Sequence, residues 1–117
     1  MREALSACDS VAFQILRLSG APQICYKENV LELTVDNGPD ADIYDFNARM
    51  VGTDGTYTAE TLLRTTLKRL HAVKMAVEFP KTVGRLRQVK LVPKVKMGQD
   101  VVFCKTESLT IEGLRAC

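Results

Sequence analysis

The chain has no tryptophan, a single histidine and few aromatic residues, 6% in all. One imidazole, His71, excludes the paired-histidine zinc motif H-E-x-x-H. The phosphate-cradling P-loop, the dinucleotide fingerprint G-x-G-x-x-G and the nucleophile elbow G-x-S-x-G are missing too. No C-x-x-C pair occurs, so a structural zinc site lacks its usual close ligand pairs. No apolar run approaches the ~18 residues that a membrane-crossing helix needs, so no membrane partner is expected. Low-complexity tracts and internal repeats are absent, as is the aromatic interleaving of a single-strand nucleic-acid platform. The expectation is a protein that is not an enzyme and uses no metal or cofactor.

What is present is a separation of charge that the net value of +2 conceals. Glu28, Glu32, Asp36, Asp40, Asp42 and Asp45 fall between positions 28 and 48 with no basic residue among them. Lys81, Arg85, Arg87, Lys90, Lys94 and Lys96 fall between 81 and 99 with no acidic one. Such asymmetry points to a basic surface that meets an acidic partner, or to two surfaces that meet each other.

At 117 residues the chain is expected to be one domain with a core large enough to need no crosslinks. Met1-Arg2-Glu3 leads into an amphipathic stretch and not a continuous apolar segment, so an intracellular setting, cytoplasmic or nuclear, is expected. Cysteines stand at 8, 25, 104 and 117. Four cysteines allow three disulfide connectivities. In a reducing compartment they are instead expected to stay free and to pack as small hydrophobes. A thiol enzyme would need Cys8, Cys25 or Cys104 beside His71 in space, and nothing local marks any of them as activated.

Periodicity supplies the expected elements. Leu5, Cys8, Ala12 and Ile15 recur at helical spacing and predict a helix over 3–18, ended by Gly20 and Pro22. Strict alternation predicts strands over 23–27, 29–35 and 43–51, joined by the turn-rich segment 36–42, where Asn-Gly favours positive φ. Thr58 as N-cap, with Leu63, Leu67 and Leu70 as a stripe, predicts a second helix over 59–71. Alternation resumes at 73–79, 89–97, 101–105 and 108–112. The predicted fold is α+β, with two helices packed on a mainly antiparallel sheet in the order α-β-β-β-α-β-β-β(-β). Over the first 70 residues that order is similar to a double-stranded-RNA-binding domain. Thr58-Ala59-Glu60-Thr61 stands where such domains carry a basic cluster, so no functional residue follows from the likeness.

The candidate interaction surface is basic. Lys90, Lys94 and Lys96 share one face of a strand, Arg85 and Arg87 fall in the turn before it, and Arg64 and Lys68 lie on one face of the predicted helix. Together they suit a phosphate backbone. Lysine and Pro93 also protect edge strands from pairing, which gives the same residues a purely structural role. The acidic segment has neither the spacing nor the terminal glutamate of a calcium loop. The reading is a protein–protein interaction or assembly module, a dimer or a subunit of a larger complex. The alternative is a DNA- or RNA-binding domain that uses Arg64, Lys68, Arg85, Arg87, Lys90, Lys94 and Lys96.

Overall fold

Apolar residues alternate with polar ones along most of residues 8–117, the part of the chain that the computed structural model describes. The backbone follows with eleven strands: β1 (Phe13–Ile15), β2 (Arg17–Leu18), β3 (Ala21–Pro22), β4 (Ile24–Lys27), β5 (Val30–Asn37), β6 (Asp45–Gly52), β7 (Thr56–Ala59), β8 (Ala72–Glu78), β9 (Leu86–Met97), β10 (Asp100–Phe103) and β11 (Leu109–Glu112). In the first sheet β5 is central, with β8 on one side and β1 and β4 in succession on the other. In the second sheet β6 and β9 are central; β7 borders β6, while β10 and β11 follow one another along β9. All of these pairings are antiparallel.

The two sheets share one core and form a half-barrel around it. Leu31, Leu33 and Val35 of β5, with Met75 and Val77 of β8, belong to the same buried cluster as Phe46, Ala48 and Met50 of β6 and Val89, Leu91 and Val95 of β9. The Phe13 and Phe46 rings meet edge-on at 5.0 Å across the divide. Burial of these side chains is the main stabilising term, and period-two alternation aims them all inward.

The expected α+β fold is overturned. The described chain is 55% strand and 7% helical, with no helix of seven residues or more. Of the predicted helix 3–18, residues 3–7 lie outside the described part, Cys8 and Asp9 form a helical turn, and Phe13–Ile15 and Arg17–Leu18 are strand. The buried positions Val11 and Ile15, with Phe13 half-buried between them, have period two; exposed Ala12 and Gln14 fill the other face. The predicted helix 59–71 is the end of β7 followed by irregular backbone. Three stiff β-branched threonines, Thr61, Thr65 and Thr66, disfavour helix there, and tertiary bonds hold an extended course. Leu67 exchanges backbone hydrogen bonds with Ile43 at 2.8 and 2.9 Å, and Leu70 of the supposed stripe is 73% exposed. The likeness in element order to an RNA-binding domain goes with the helices.

Three further differences have local causes. Asn37 does not take a positive φ; its buried Nδ2 donates to the carbonyls of Ala41 and Leu67, pinning the chain after β5. Pro93 was expected to mark an edge strand or a bulge, yet β9 is paired on both sides and its irregularity lies at Arg87. The Pro93 carbonyl accepts from the Cys104 N–H, so its own nitrogen faces the gap between β10 and β11, where no ladder bond is lost. Arg87 lies within β9 and not in the turn. Val51 opposes Gln88 and Gly52 opposes Leu86, so Arg87 is a bulged extra residue turned out to solvent.

That bulge adjoins a tight contact. A Cβ on Gly52 would lie 2.2 Å from the Val83 carbonyl oxygen. Gly52→Ala is expected to lower the unfolding free energy by about 1–3 kcal/mol, as overpacking does. Chemical denaturation measures this, and an unchanged midpoint would show that the turn yields.

All four cysteines are paired, Cys8 with Cys104 and Cys25 with Cys117, which corrects the expectation of free thiols. Cys8 precedes β1 of the first sheet and Cys104 follows β10 of the second. The C-terminal residues lie parallel to β4: Tyr26 N–H donates to the Arg115 carbonyl and Cys117 N–H to the Tyr26 carbonyl, each at 2.9 Å. The Cys25–Cys117 bond locks that segment against the first sheet.

Candidate interaction surface

On the outer face of the second sheet Asp45 of β6 stands directly opposite Lys94 of β9. The two side chains are almost fully buried and lie 3.6 Å apart. Burying an ion pair is costly unless further hydrogen bonds satisfy both groups, and here they do. Asp45 Oδ1 accepts backbone N–H bonds from Phe46, Leu62 and Leu63 at 2.7, 3.0 and 2.8 Å. Lys94 Nζ donates to the Glu60 carbonyl oxygen. The pair therefore clamps the segment that follows β7 onto the sheet.

Beside the clamp is an exposed apolar cluster. Lys96 pairs with Val101, and Lys94 with Phe103, across β9 and β10, so these four side chains share the outer face. Tyr44, Val101 and Phe103 are 38%, 40% and 44% exposed, and all three line one surface depression with Leu63, Arg64 and Lys94. Lys96 Nζ sits 5.5 Å from the centre of the Tyr44 ring, and Lys94 Nζ 5.1 Å from that of Phe103. Cations at that range are attracted to the ring faces. The result is an aromatic surface bordered by the cations of Arg64 and Lys96, with Asp40 and Asp42 on the far side of Tyr44.

The seven basic residues singled out from sequence are dispersed. Lys94 is consumed by the clamp. Lys90 and Lys96 share the outer face but lie six residues apart on β9, about 20 Å along an extended strand. Arg64 borders the aromatic depression, whereas Lys68 lies in the turn closed by the His71 N–H and the Lys68 carbonyl. Arg85 is held at the far end by Thr53, whose Oγ1 accepts its N–H, and Arg87 is on the bulge. Arg49, which was not singled out, pairs with Lys90 across β6 and β9 and adds a cation to this face. Tyr44, Val101 and Phe103 were missed as well. The only signal for them was the lysine alternation of β9, and it could not identify the strands lying beside those lysines.

The acidic block is likewise divided. Glu32 and Asp36 lie on the outer face of the first sheet, and Asp45 is inside the clamp. Asp42 Oδ1 accepts the Arg69 N–H at 3.0 Å. One group of metal-ligating residue types converges among the described residues, Cys25, Glu32 and Cys117 within 4.8 Å, but its two sulfurs form a disulfide and offer no thiolate. With every cysteine paired, no thiol is left to act as a nucleophile beside His71. Among the described residues no helix is long and apolar enough to cross a membrane. No protein-family model matches the chain, and no curated protein or solved structure matches it significantly.

Proposed function

We propose that this protein is a non-catalytic interaction and assembly module that docks an acidic protein surface on the outer face of its second sheet. The observation that carries this reading is the convergence of Tyr44, Val101 and Phe103 on one exposed depression bordered by Arg64 and Lys96. Aromatic and arginine side chains are enriched where proteins bury each other's surfaces. The Arg64 and Lys96 cations at its border favour an acidic partner and speed encounter with it. The disulfides add a setting: they persist in oxidising surroundings, or inside hyperthermophile cells. The intracellular expectation came from the N-terminal stretch, and the free thiols were inferred from it; paired cysteines weigh against a reducing compartment.

The test compares wild type with a Tyr44→Ser, Phe103→Ser double variant in cross-linked pull-downs from the source organism. Both side chains are partly solvated, so the variant is expected to melt within about 1 kcal/mol of wild type and to lose the captured protein. Retention of the same protein by the double variant would sink the reading. Nucleic acid is the other outcome. Capture of duplex DNA with a salt slope near −0.9 per neutralised phosphate would favour the DNA- or RNA-binding alternative.

A further inference from the structure

β8 is seven residues long, and one of its two edges is open among the described residues. Which backbone groups face outward follows from the ladder with β5. Asn37 N–H donates to the His71 carbonyl, and Phe79 N–H to the Asn29 carbonyl, each at 2.9 Å. Hydrogen-bonded pairs recur at every second residue of an antiparallel ladder. Val73, Met75 and Val77 therefore bond to β5, opposite Val35, Leu33 and Leu31. The N–H and C=O groups of Ala72, Lys74, Ala76 and Glu78 point the other way, into solvent. These four residues are exposed.

Proteins normally blunt such an edge by shortening, twisting, covering or charging it. The other side of the first sheet is covered at β4 by the C-terminal segment, and β7, β10 and β11 have four residues each. β8 is longer and offers two alanines on its open side.

The geometry points to a second copy of this chain as the occupant, pairing β8 to β8 antiparallel about a two-fold axis at Ala76. The sequence Ala72-Val73-Lys74-Met75-Ala76-Val77-Glu78 complements itself in that register. Lys74 meets Glu78 of the second copy, and Glu78 meets Lys74 of the second copy, giving two opposite-charge pairs on the outer face. Two alanines face each other at the axis, where bulk would hold the strands apart. On the inner face Met75 meets Val77 of the second copy, so both cores continue across the junction. The outward groups of Lys74, Ala76 and Glu78 then form about six interchain backbone hydrogen bonds. Pro80, which has no N–H, falls opposite Ala72 and ends the ladder. Lys74 already lies 3.9 Å from Glu32 on the exposed face, and this loose pair leaves it free to bridge both carboxylates. The contact is isologous and closes at two copies, so it makes a dimer and no fibre. It deepens the assembly reading but uses a different part of the surface from the aromatic depression.

Sedimentation equilibrium from about 10 μM to about 1 mM, a span that detects a dissociation constant of about 1 mM or tighter, tests this. Wild type is expected to shift from 13.0 kDa toward twice that mass. Ala76→Pro removes an N–H that β5 does not use, so it is expected to keep the fold and to stay monomeric across the range. Lys74→Glu is expected to weaken the dimer at least tenfold, and the double variant Lys74→Glu, Glu78→Lys to restore it, because each new charge again meets its opposite. Wild type that stays monomeric at 1 mM overturns the proposal and leaves docking at the aromatic depression untouched. A dimer unaffected by Ala76→Pro and by Lys74→Glu also overturns it and places self-association elsewhere. If Ala76→Pro unfolds, as its circular dichroism would show, the charge reversal and its rescue decide alone.

Discussion

Reduction of both disulfides is expected to cost more stability than any single substitution in this protein. Each bond joins residues more than ninety positions apart, with separations of 96 and 92. In the chain-entropy account a loop near that size, closed alone, contributes about 4–5 kcal/mol by restricting the unfolded chain. The second bond contributes less. Once Cys8 and Cys104 are joined, the path from Cys25 to Cys117 runs through that bridge and spans only about 30 residues, worth about 3–4 kcal/mol. Small domains have about 5–15 kcal/mol of total stability, so the fully reduced chain is expected to be close to unfolded at 37 °C. The two bonds are also expected to open in order. Cys8 and Cys104 are 6% and 1% exposed, whereas Cys25 is half-buried and Cys117 exposed, so mild reductant reaches the Cys25–Cys117 bond first. Alkylation followed by peptide mass analysis reads the order, and thermal melts with and without reductant read the cost. Four thiols that label in the native protein without reductant would refute the pairing.

The second large effect is expected at Asp45. Asp45→Ala leaves the Lys94 ammonium buried without its carboxylate and strips the acceptor from the N–H groups of Leu62 and Leu63. Removing one member of a buried ion pair typically costs about 3–5 kcal/mol. Lys94→Met is expected to cost a comparable amount, since it strands the carboxylate and frees the Glu60 carbonyl. The double variant Asp45→Leu, Lys94→Met removes both charges, so its cost is expected to fall well below the sum of the two singles. The loop gives an independent readout. Amide exchange at Leu62 and Leu63 should accelerate strongly in Asp45→Ala, while Val35 and Leu91 in the core follow only global stability. Single variants within 1 kcal/mol of wild type, with the loop amides still protected, would show that the clamp is not what holds this segment.

The strands of the core were readable in advance because their alternation is unbroken. Leu31, Leu33 and Val35, then Phe46, Ala48 and Met50, then Met75, Val77 and Phe79, then Val89, Leu91 and Val95 were each assigned to one strand face and are buried; Tyr44, grouped with Phe46, is exposed, and Val73 and Met97 are half-buried. A side-chain period of two is a local property that survives whatever the rest of the chain does. The helices failed because their evidence was weaker and their competition was tertiary. Three leucines at helical spacing predicted helix 59–71, but the Asp45 carboxylate and the Ile43 backbone hold that segment extended. At the N-terminal end, Val11 and Ile15 fit a helical stripe, and with Phe13 between them they fit a strand face equally well. Pairing of Phe13–Ile15 with Asn37–Val35 decided between them.

The candidate site was legible only in part. Lysines 90, 94 and 96 were placed on one strand face, and they share it in the structure. Nothing local distinguished Lys94, which is buried in an ion pair, from Lys90 and Lys96, which are not. That difference depends on Asp45, 49 positions earlier, and on Glu60, 34 positions earlier.

By itself the sequence determined the alternating core strands and two blocks of opposite charge, and it pointed to two helices that the structure replaces with strand and irregular backbone. Those are properties of composition and short-range order. Only the tertiary structure decided which strands are neighbours. Neighbours turned four cysteines into two crosslinks, turned one lysine and one aspartate into a clamp, and gathered Tyr44, Val101 and Phe103 onto a common surface. The physical reason is that hydrogen-bond ladders, disulfides and ion pairs form between groups close in space, and in a sheet protein such groups are seldom close in sequence.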